Sequence, residues 1–337
     1  MKRLLVALSF LLTLGVVGAG VVFVYFKQRV EAPGPLDAQA VVRVPPGAGV
    51  QSIALRLDEA GVIDAPLLFV LVARATETAP ELKAGEFAFP PRTSLRGALD
   101  ILVEGQTVVR KLTLPEGITS REAAARLRAA EGLTGSLAKV PAEGSLLPET
   151  YHYDWGDRRA ALVDRMQAAM DDALDDLWPG RASDLPFATR REAVTLASIV
   201  EKETSVPKER ALVAGVFVNR LRRGMRLQSD PTVRYALSRE GETLDRPLTR
   251  ADLEVADPYN TYRNAGLPPG PIANPGRASL AAVLDPAETD YLYFVADGSG
   301  GHAFAETLDD HNANVRAWRR IRDGGAAPAE SPAPGGE

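Results

Sequence analysis

The stretch Leu196-Ala197-Ser198-Ile199-Val200-Glu201-Lys202-Glu203-Thr204 is an apolar run that ends in two carboxylates. Leu196, Ile199, Val200 and Glu203 stand at i, i+3, i+4 and i+7, the spacing of one helical face. A helix continued one residue past Lys202 sets Glu203 on that apolar stripe and turns Glu201 roughly to the opposite side. A carboxyl at the edge of an apolar face is disfavoured as an anion, so its pKa is expected to rise. Such an acid can hold a proton near neutral pH and deliver it to a leaving group. The plain alternative is a solvated helix end, since Glu-Lys-Glu is common there.

Polar loop segments follow this helix and could meet its end. Gln228-Ser229-Asp230-Pro231-Thr232 is one; Asn260-Thr261-Tyr262, ahead of Gly266-Leu267-Pro268-Pro269-Gly270-Pro271-Ile272, is another. Tyrosines and amides suit sugar rings because they offer apolar faces and hydrogen bonds without charge. The alternative is that each satisfies loop backbone. Other chemistries find little support. His152, His302 and His311 form no helix-spaced metal pair, and the chain has no cysteine, so no metal or other cofactor is expected. Gly298-Ser299-Gly300-Gly301 lacks the nucleophile-elbow pattern and reads as a tight turn. No phosphate-binding loop or dinucleotide fingerprint is present.

The elements that must position these residues are legible in outline. Thr189 with Glu192 three residues later forms a capping-box signature for a helix Thr189–Lys202. Arg159–Leu177 reads as a helix with Leu162, Met166, Met170 and Leu174 as its core stripe. Pro207 suits the first turn of a further helix that runs to Arg223 and stops at Gly224, burying Leu212, Val213, Val216, Phe217 and Leu221. Regularity then falls away: Gln228–Thr232, Asn260–Pro275 and Gly298–His302 read as loops lining one side of a cleft, with a strand at Asp290–Ala296.

Ahead of this mainly helical region lies a small α/β module. Strands are expected at Val42–Val44 and Gly85–Phe89, and helices at Ser52–Ala60 (apolar residues Ile53, Leu55 and Leu57), Leu67–Ala75 and Leu95–Val103. Strand, Pro-Gly turn and helix recur at Leu112-Thr113-Leu114, Pro115-Glu116-Gly117 and a helix starting near Thr119, which is either a duplication or ordinary α/β punctuation.

The 337 residues suffice for two domains, and a net charge of −5 without a basic block gives nucleic-acid binding no electrostatic support. Leu4–Phe26 carries no charge and is long enough for a membrane-crossing helix at ~20 residues per crossing. Its apolar run continues past Gly18-Ala19-Gly20, which favours an uncleaved anchor. Lys2 and Arg3 oppose Lys27 and Arg29, so charge barely sets orientation; the soluble remainder is expected outside the cytoplasm, as for a signal-anchor. Glu31–Ala38 reads as a linker and the Gly/Ala/Pro/Glu/Ser tail 324–337 as disordered.

Several ordered motifs together resemble one family. They are Ala197–Thr204, Val216-Phe217-Val218-Asn219-Arg220-Leu221, Gly224–Val233, Tyr259-Asn260-Thr261-Tyr262, Gly266–Ile272, Tyr291–Gly298, Gly301-His302 and His311-Asn312. The family is that of the endolytic murein transglycosylases (MltG or YceG-like). The resemblance implies an α+β chain: residues 1–3 cytoplasmic, a transmembrane helix at 4–26, a linker at 27–40, a LysM-like module at 41–108 and a larger, mainly helical catalytic domain with short strands at 109–323. It implies an inner-membrane anchor and a periplasmic lytic transglycosylase. Such an enzyme cleaves nascent peptidoglycan strands between N-acetylmuramic acid and N-acetylglucosamine and leaves 1,6-anhydro ends. Glu203 matches the family's catalytic acid, the residue the helical face had already singled out. Gln228, Asn260 and Tyr262 are then expected to hold the sugar. Asp230, also expected at the substrate, is the candidate second carboxylate if the reaction is hydrolysis. Cell-wall synthases (penicillin-binding proteins) are expected partners. A muramidase-type hydrolase and a non-catalytic peptidoglycan-binding scaffold remain the alternatives.

Overall fold

The computed structural model describes residues 2–238 and 244–324. The expected disordered tail beyond Gly324 lies outside the described residues. The chain divides into two compact units, one of Met1–Lys111 with Glu131–Thr134 and His152–Asp157, the other of Leu112–Ala130, Gly135–Tyr151 and the chain from Arg158. The sequence placed one boundary near 109; the structure also returns two short segments to the first unit. Within that unit Trp155 accounts for part of the return, with the Arg43 guanidinium 3.6 Å from its ring centre and that of Arg110 at 5.0 Å. Tyr153 donates from its hydroxyl to the Glu131 carbonyl at 2.9 Å.

The first unit opens with α1 (Lys2–Glu31), an apolar helix long enough to cross a membrane. It runs past the expected end at Phe26 and takes in residues 27–31 of the expected linker at 27–40, because nothing between Lys27 and Glu31 breaks a helix; the first break is at Pro33. Then follow β1 (Ala40–Val44), α2 (Val50–Glu59), α3 (Pro66–Ala75), β2 (Gly85–Phe89) and α4 (Leu95–Glu104). The two strands pair antiparallel, Ala40 opposite Phe89 and Val44 opposite Gly85. Val42, Val44, Ile53, Leu57, Phe69, Phe87 and Leu99 fill the space between sheet and helices. Leu55, expected on the apolar side of α2, is 56% exposed; Ile53 and Leu57 share a face at i and i+4, and Leu55 falls between them on the other side.

A second two-stranded sheet joins β3 (Arg110–Thr113) to β4 (Thr150–Tyr153). Gly117, at φ +72°, turns the chain from β3 toward α5 (Ser120–Ala129), as Gly47, at φ +77°, does between β1 and α2. The recurrence read from the sequence is therefore present in both turns. The second unit is otherwise a helical cluster. It comprises α6 (Arg159–Leu177), α7 (Arg190–Glu203), α8 (Arg210–Arg222), α9 (Asp230–Ser238), α10 (Arg250–Leu253), α11 (Arg277–Leu284) and α12 (Leu308–Arg322), with a hairpin of β5 (Tyr293–Ala296) and β6 (His302–Ala305). At its centre α7 is buried without interruption from Ala193 to Val200 and packs on α8 and α11. The Thr189–Glu192 capping box is formed in both directions, so the start of the helix is fixed where the sequence put it. Leu162, Met166, Met170 and Leu174 are buried on α6 as expected.

Three expectations are corrected. Pro207 starts a single 3-10 turn, Pro207–Glu209, and the α-helix begins only at Arg210. The segment Gln228–Thr232 is not all loop: Asp230 is the first residue of α9, with Pro231 in the first turn, where its missing N–H costs nothing. The strand expected from Asp290 begins at Tyr293.

Candidate active site

Glu203 is the last residue of α7, so the helix does run the one residue needed to bring it onto the face of Leu196, Ile199 and Val200. Its neighbour Glu201 goes elsewhere. Glu201 pairs with Arg210 at 3.3 Å, its side chain only 4% exposed, and accepts the Gly276 N–H at 2.9 Å. The two carboxylates of one segment thus have separate fates: Glu201 is tied into the scaffold and Glu203 faces an open cavity of about 480 Å³.

Glu203 meets the cavity at one edge and protein elsewhere. Burial, reinforced by the charge of Asp230, pushes its pKa up to about 7. A hydrogen bond with the Ser229 hydroxyl at 2.5 Å and the charges of His302 and Arg220 pull the other way without overcoming burial. Ser229 is held in turn, its N–H donating to the Thr261 hydroxyl at 3.0 Å. Thr261 also meets the Thr232 hydroxyl at 2.9 Å, and its carbonyl accepts the Gln228 N–H at 3.2 Å. The loop after α8 is therefore clipped to the loop after α10 directly beneath the acid.

Of the residues expected to hold a sugar, Gln228, Asp230 and Tyr262 line the cavity with Glu203. Gln228 is exposed and sits at φ +52°, a left-handed backbone that few non-glycine residues adopt and that marks functional sites more often than chance. Tyr262 donates its hydroxyl to Asp230 at 2.6 Å, and burial together with that carboxylate holds the phenol far above its ordinary pKa. Asn260 is the exception. It is fully buried; its amide donates to the carbonyls of Leu253 and Val255, both at 2.9 Å, and its oxygen accepts the Tyr262 N–H at 2.9 Å. Asn260 shapes the loop that presents Tyr262 and does not line the cavity.

Four further residues belong to the site. Arg220 of α8 lines the cavity yet is mostly buried, donating to the carbonyls of Leu292 at 2.6 Å, Leu227 at 2.9 Å and Arg226 at 3.2 Å. It lies at i+7 from Val213 and close to Phe217 on the same stripe, so the spacing that exposed Glu203 on α7 would have exposed Arg220 on α8. Tyr293 of β5 and His311 of α12, which also line the cavity, stack at 5.2 Å. Burial and the Arg220 charge depress the His311 pKa, and its Nδ1 finds no hydrogen-bond partner among the described residues. Neither residue had a sequence signal beyond its place in a family motif. The fourth is Glu209, which accepts the His302 N–H at 3.1 Å, meets the His302 ring Nδ1 at 2.8 Å and reaches Thr204, the residue that ends α7, at 3.5 Å. Burial alone would raise its pKa, but the bonds from His302 outweigh burial and leave it below the ordinary carboxylate value. Glu209 thereby fixes the β5–β6 turn against the end of the helix that carries Glu203. Among the described residues no cluster of three or more His, Cys, Asp or Glu side chains is arranged to hold a metal ion.

The arrangement is that of one protonatable acid beside a second, exposed carboxylate, in a cavity whose other walls are aromatic rings, an amide and a guanidinium. Such a surface can stack on and hydrogen-bond a sugar while one group carries a proton to a bridging oxygen.

The sequence profile of the YceG-like family matches residues 42–317. An endolytic murein transglycosylase of Streptococcus pneumoniae is 31% identical over 356 residues, covering 91% of this chain and 64% of that protein. An endolytic murein transglycosylase of Bacillus subtilis is 40% identical over 174 residues, 52% of this chain and 47% of that one. The chain thus spans about 64% of the length of its pneumococcal relative. A crystal structure of a YceG-like protein from Listeria monocytogenes superposes with a TM-score of 0.51 at 33% identity, covering 82% of this chain and 98% of the other.

Proposed function

Because this chain belongs to the YceG-like family, we propose that it is an endolytic lytic transglycosylase of peptidoglycan, a carbon–oxygen lyase with Glu203 as its acid. The observation that carries the reading is a carboxyl raised to about 7 by burial at the wall of an open, sugar-compatible cavity. Protonated Glu203 donates to the oxygen between N-acetylmuramic acid and N-acetylglucosamine as that bond breaks, and the muramic acid acquires oxocarbenium character. The resulting carboxylate removes the proton from the C6 hydroxyl, which closes on C1. The cleaved bond is replaced by an intramolecular one, Glu203 regains its proton, and no water is consumed. Gln228, Tyr262 and Asp230 hold the sugar. The Tyr262 hydroxyl on Asp230 favours a binding role for that carboxylate over attack on C1.

In the same reading residues 41–108, within the first unit, are the LysM-like module. The chain is anchored in the inner membrane by α1, with the rest of the first unit and the second unit in the periplasm. There it meets nascent strands beside the penicillin-binding synthases, and cutting them sets glycan length. The length and apolar character of α1 support the anchor. Mass spectrometry of the fragments released from purified glycan strands tests the chemistry. Anhydro ends are expected from the wild type and none from Glu203→Gln. Reducing ends, one water heavier, would make the protein a hydrolase, and binding without fragments would make it a scaffold.

A further inference from the structure

We propose that the exposed face of α3, carried by Leu67 and Leu71, rests in the interfacial layer of the same lipid bilayer that α1 crosses. The inference depends on α1 being a membrane span. Its subject is a second contact, made by a part of the molecule that the cutting chemistry does not use.

The composition of α3 is unusual for a surface helix. It reads Pro-Leu-Leu-Phe-Val-Leu-Val-Ala-Arg-Ala, apolar on every side, with Arg74 its one charge. A helix that is apolar all round is normally buried all round. Here Phe69, Val70 and Ala73 face the module's core, but Leu67 is 87% exposed and Leu71 56%. The two stand one turn apart on one face, and Arg74, also exposed, continues that face at i+7 from Leu67. With ten residues, α3 is too short to cross a bilayer, which takes ~20. An apolar face ending in a cation suits a helix that lies in the boundary between headgroups and acyl chains.

The position of α3 says which surface covers it. The end of α1 is bound to the residues just ahead of α3: Arg29 pairs with Asp64 at 2.6 Å, two residues before Pro66. Val30 packs against the module's core. The chain beyond α1 is pinned as well, with the Gly34 N–H on the Arg92 carbonyl at 3.3 Å and the Arg92 N–H on the Leu36 carbonyl at 2.7 Å. The apolar surface of α1 runs to Phe26, one turn short of Arg29. If α1 spans the bilayer, Arg29 stands at headgroup level and holds Asp64 at that level. Leu67 follows within one turn of α3. The exposed leucines are thus continuous with the surface that α1 already presents to lipid.

The chain contains no cysteine, so single labelling sites are clean. The full chain carrying Leu67→Cys, Leu71→Cys, Leu55→Cys or Leu14→Cys would be labelled with the fluorophore NBD. Each would be reconstituted, with no other protein, into phosphatidylcholine–phosphatidylglycerol vesicles. Some vesicles would carry lipids spin-labelled near the headgroup end of the acyl chain, others lipids spin-labelled near its tip. Expected are a blue-shifted emission at 67 and 71, quenched by the shallow label, quenching at 14 by the deep label, and water-like emission at 55. Water-like emission at 67 and 71 with quenching at 14 overturns the proposal and leaves the anchor standing. Equal quenching at 55 also overturns it, since the contact would not belong to α3. No quenching at 14 removes the anchor and the proposal with it.

Discussion

With Glu203 as the acid proposed above, Glu201 and Glu203, two positions apart, separate stability from chemistry. Glu201→Gln removes the charge facing Arg210, whose side chain is 12% exposed. Breaking such a pair from one side is expected to cost roughly 3 kcal/mol, the low end of the usual range because Glu116 still meets Arg210 at 3.0 Å. Denaturant unfolding should show that loss while cleavage persists. Glu203→Gln should do the reverse, lowering the cleavage rate by ~10²–10⁴-fold, the usual worth of a general acid. Wild-type activity should hold below about pH 7 and decline above it as Glu203 loses its proton. Because the Asp230 charge helps to raise that pKa, Asp230→Asn should move the decline to lower pH, as rate–pH profiles would record. Stability carries the same signature. The folded pKa of about 7 lies above the ordinary 4.5, so the folded state holds the extra proton between those values. Glu203 therefore contributes most to stability below pH 4.5, and the contribution is lost as pH rises through 7. Above pH 7 the Glu203→Gln protein should melt at a higher temperature than wild type.

At the level of elements, α7, α8, the start of α9, the β5–β6 hairpin, α12 and two loops make the site, and their buried polar contacts carry precise demands. Ser198, fully buried in α7, accepts the Ile272 N–H at 3.0 Å and donates to the Thr195 carbonyl at 2.7 Å. Ser198→Ala orphans that N–H, at an expected cost of about 1–3 kcal/mol measurable by chemical denaturation. Arg220→Met leaves the carbonyls of Leu227 and Leu292 without their partner and should destabilise by about 2–4 kcal/mol. The helices themselves were legible because capping boxes and apolar periodicity are local signals: α6 matches its expected span, and α7 keeps its expected start and gains only Glu203. The acid was legible because it interrupts an apolar stripe. Arg220 interrupts one in the same way, but a long cation at a helix end reads just as naturally as a solvated group. Asn260 was misread because an amide that satisfies three loop backbone groups looks, as a residue type, like one that meets a sugar. The pairing of Ser229 with Thr261 has a sequence separation of 32 and no local pattern to announce it.

Across the whole molecule the sequence conveyed two units and an apolar leading helix. It could not convey that segments near 131 and 152 return to the first unit, since that follows from Trp155 finding Arg43 and Arg110. It also could not convey how little slack follows α1. From the end of that helix at Glu31 to the first residue of β1 at Ala40 the chain could stretch at most roughly 32 Å. Gly34 and Leu36 are stitched to Arg92, so almost none of that length is free. If α1 is the membrane anchor proposed above, the consequence is a leash drawn tight: the first module keeps one altitude over the bilayer and cannot rise with a polymer growing away from it. A flexible Gly-Ser insert between Phe26 and Lys27, ahead of the Arg29–Asp64 pair and of the contacts to Arg92, should slacken the leash. Cells that rely on the slackened protein should accumulate glycan strands of broader length distribution, read by chromatography of the released strands.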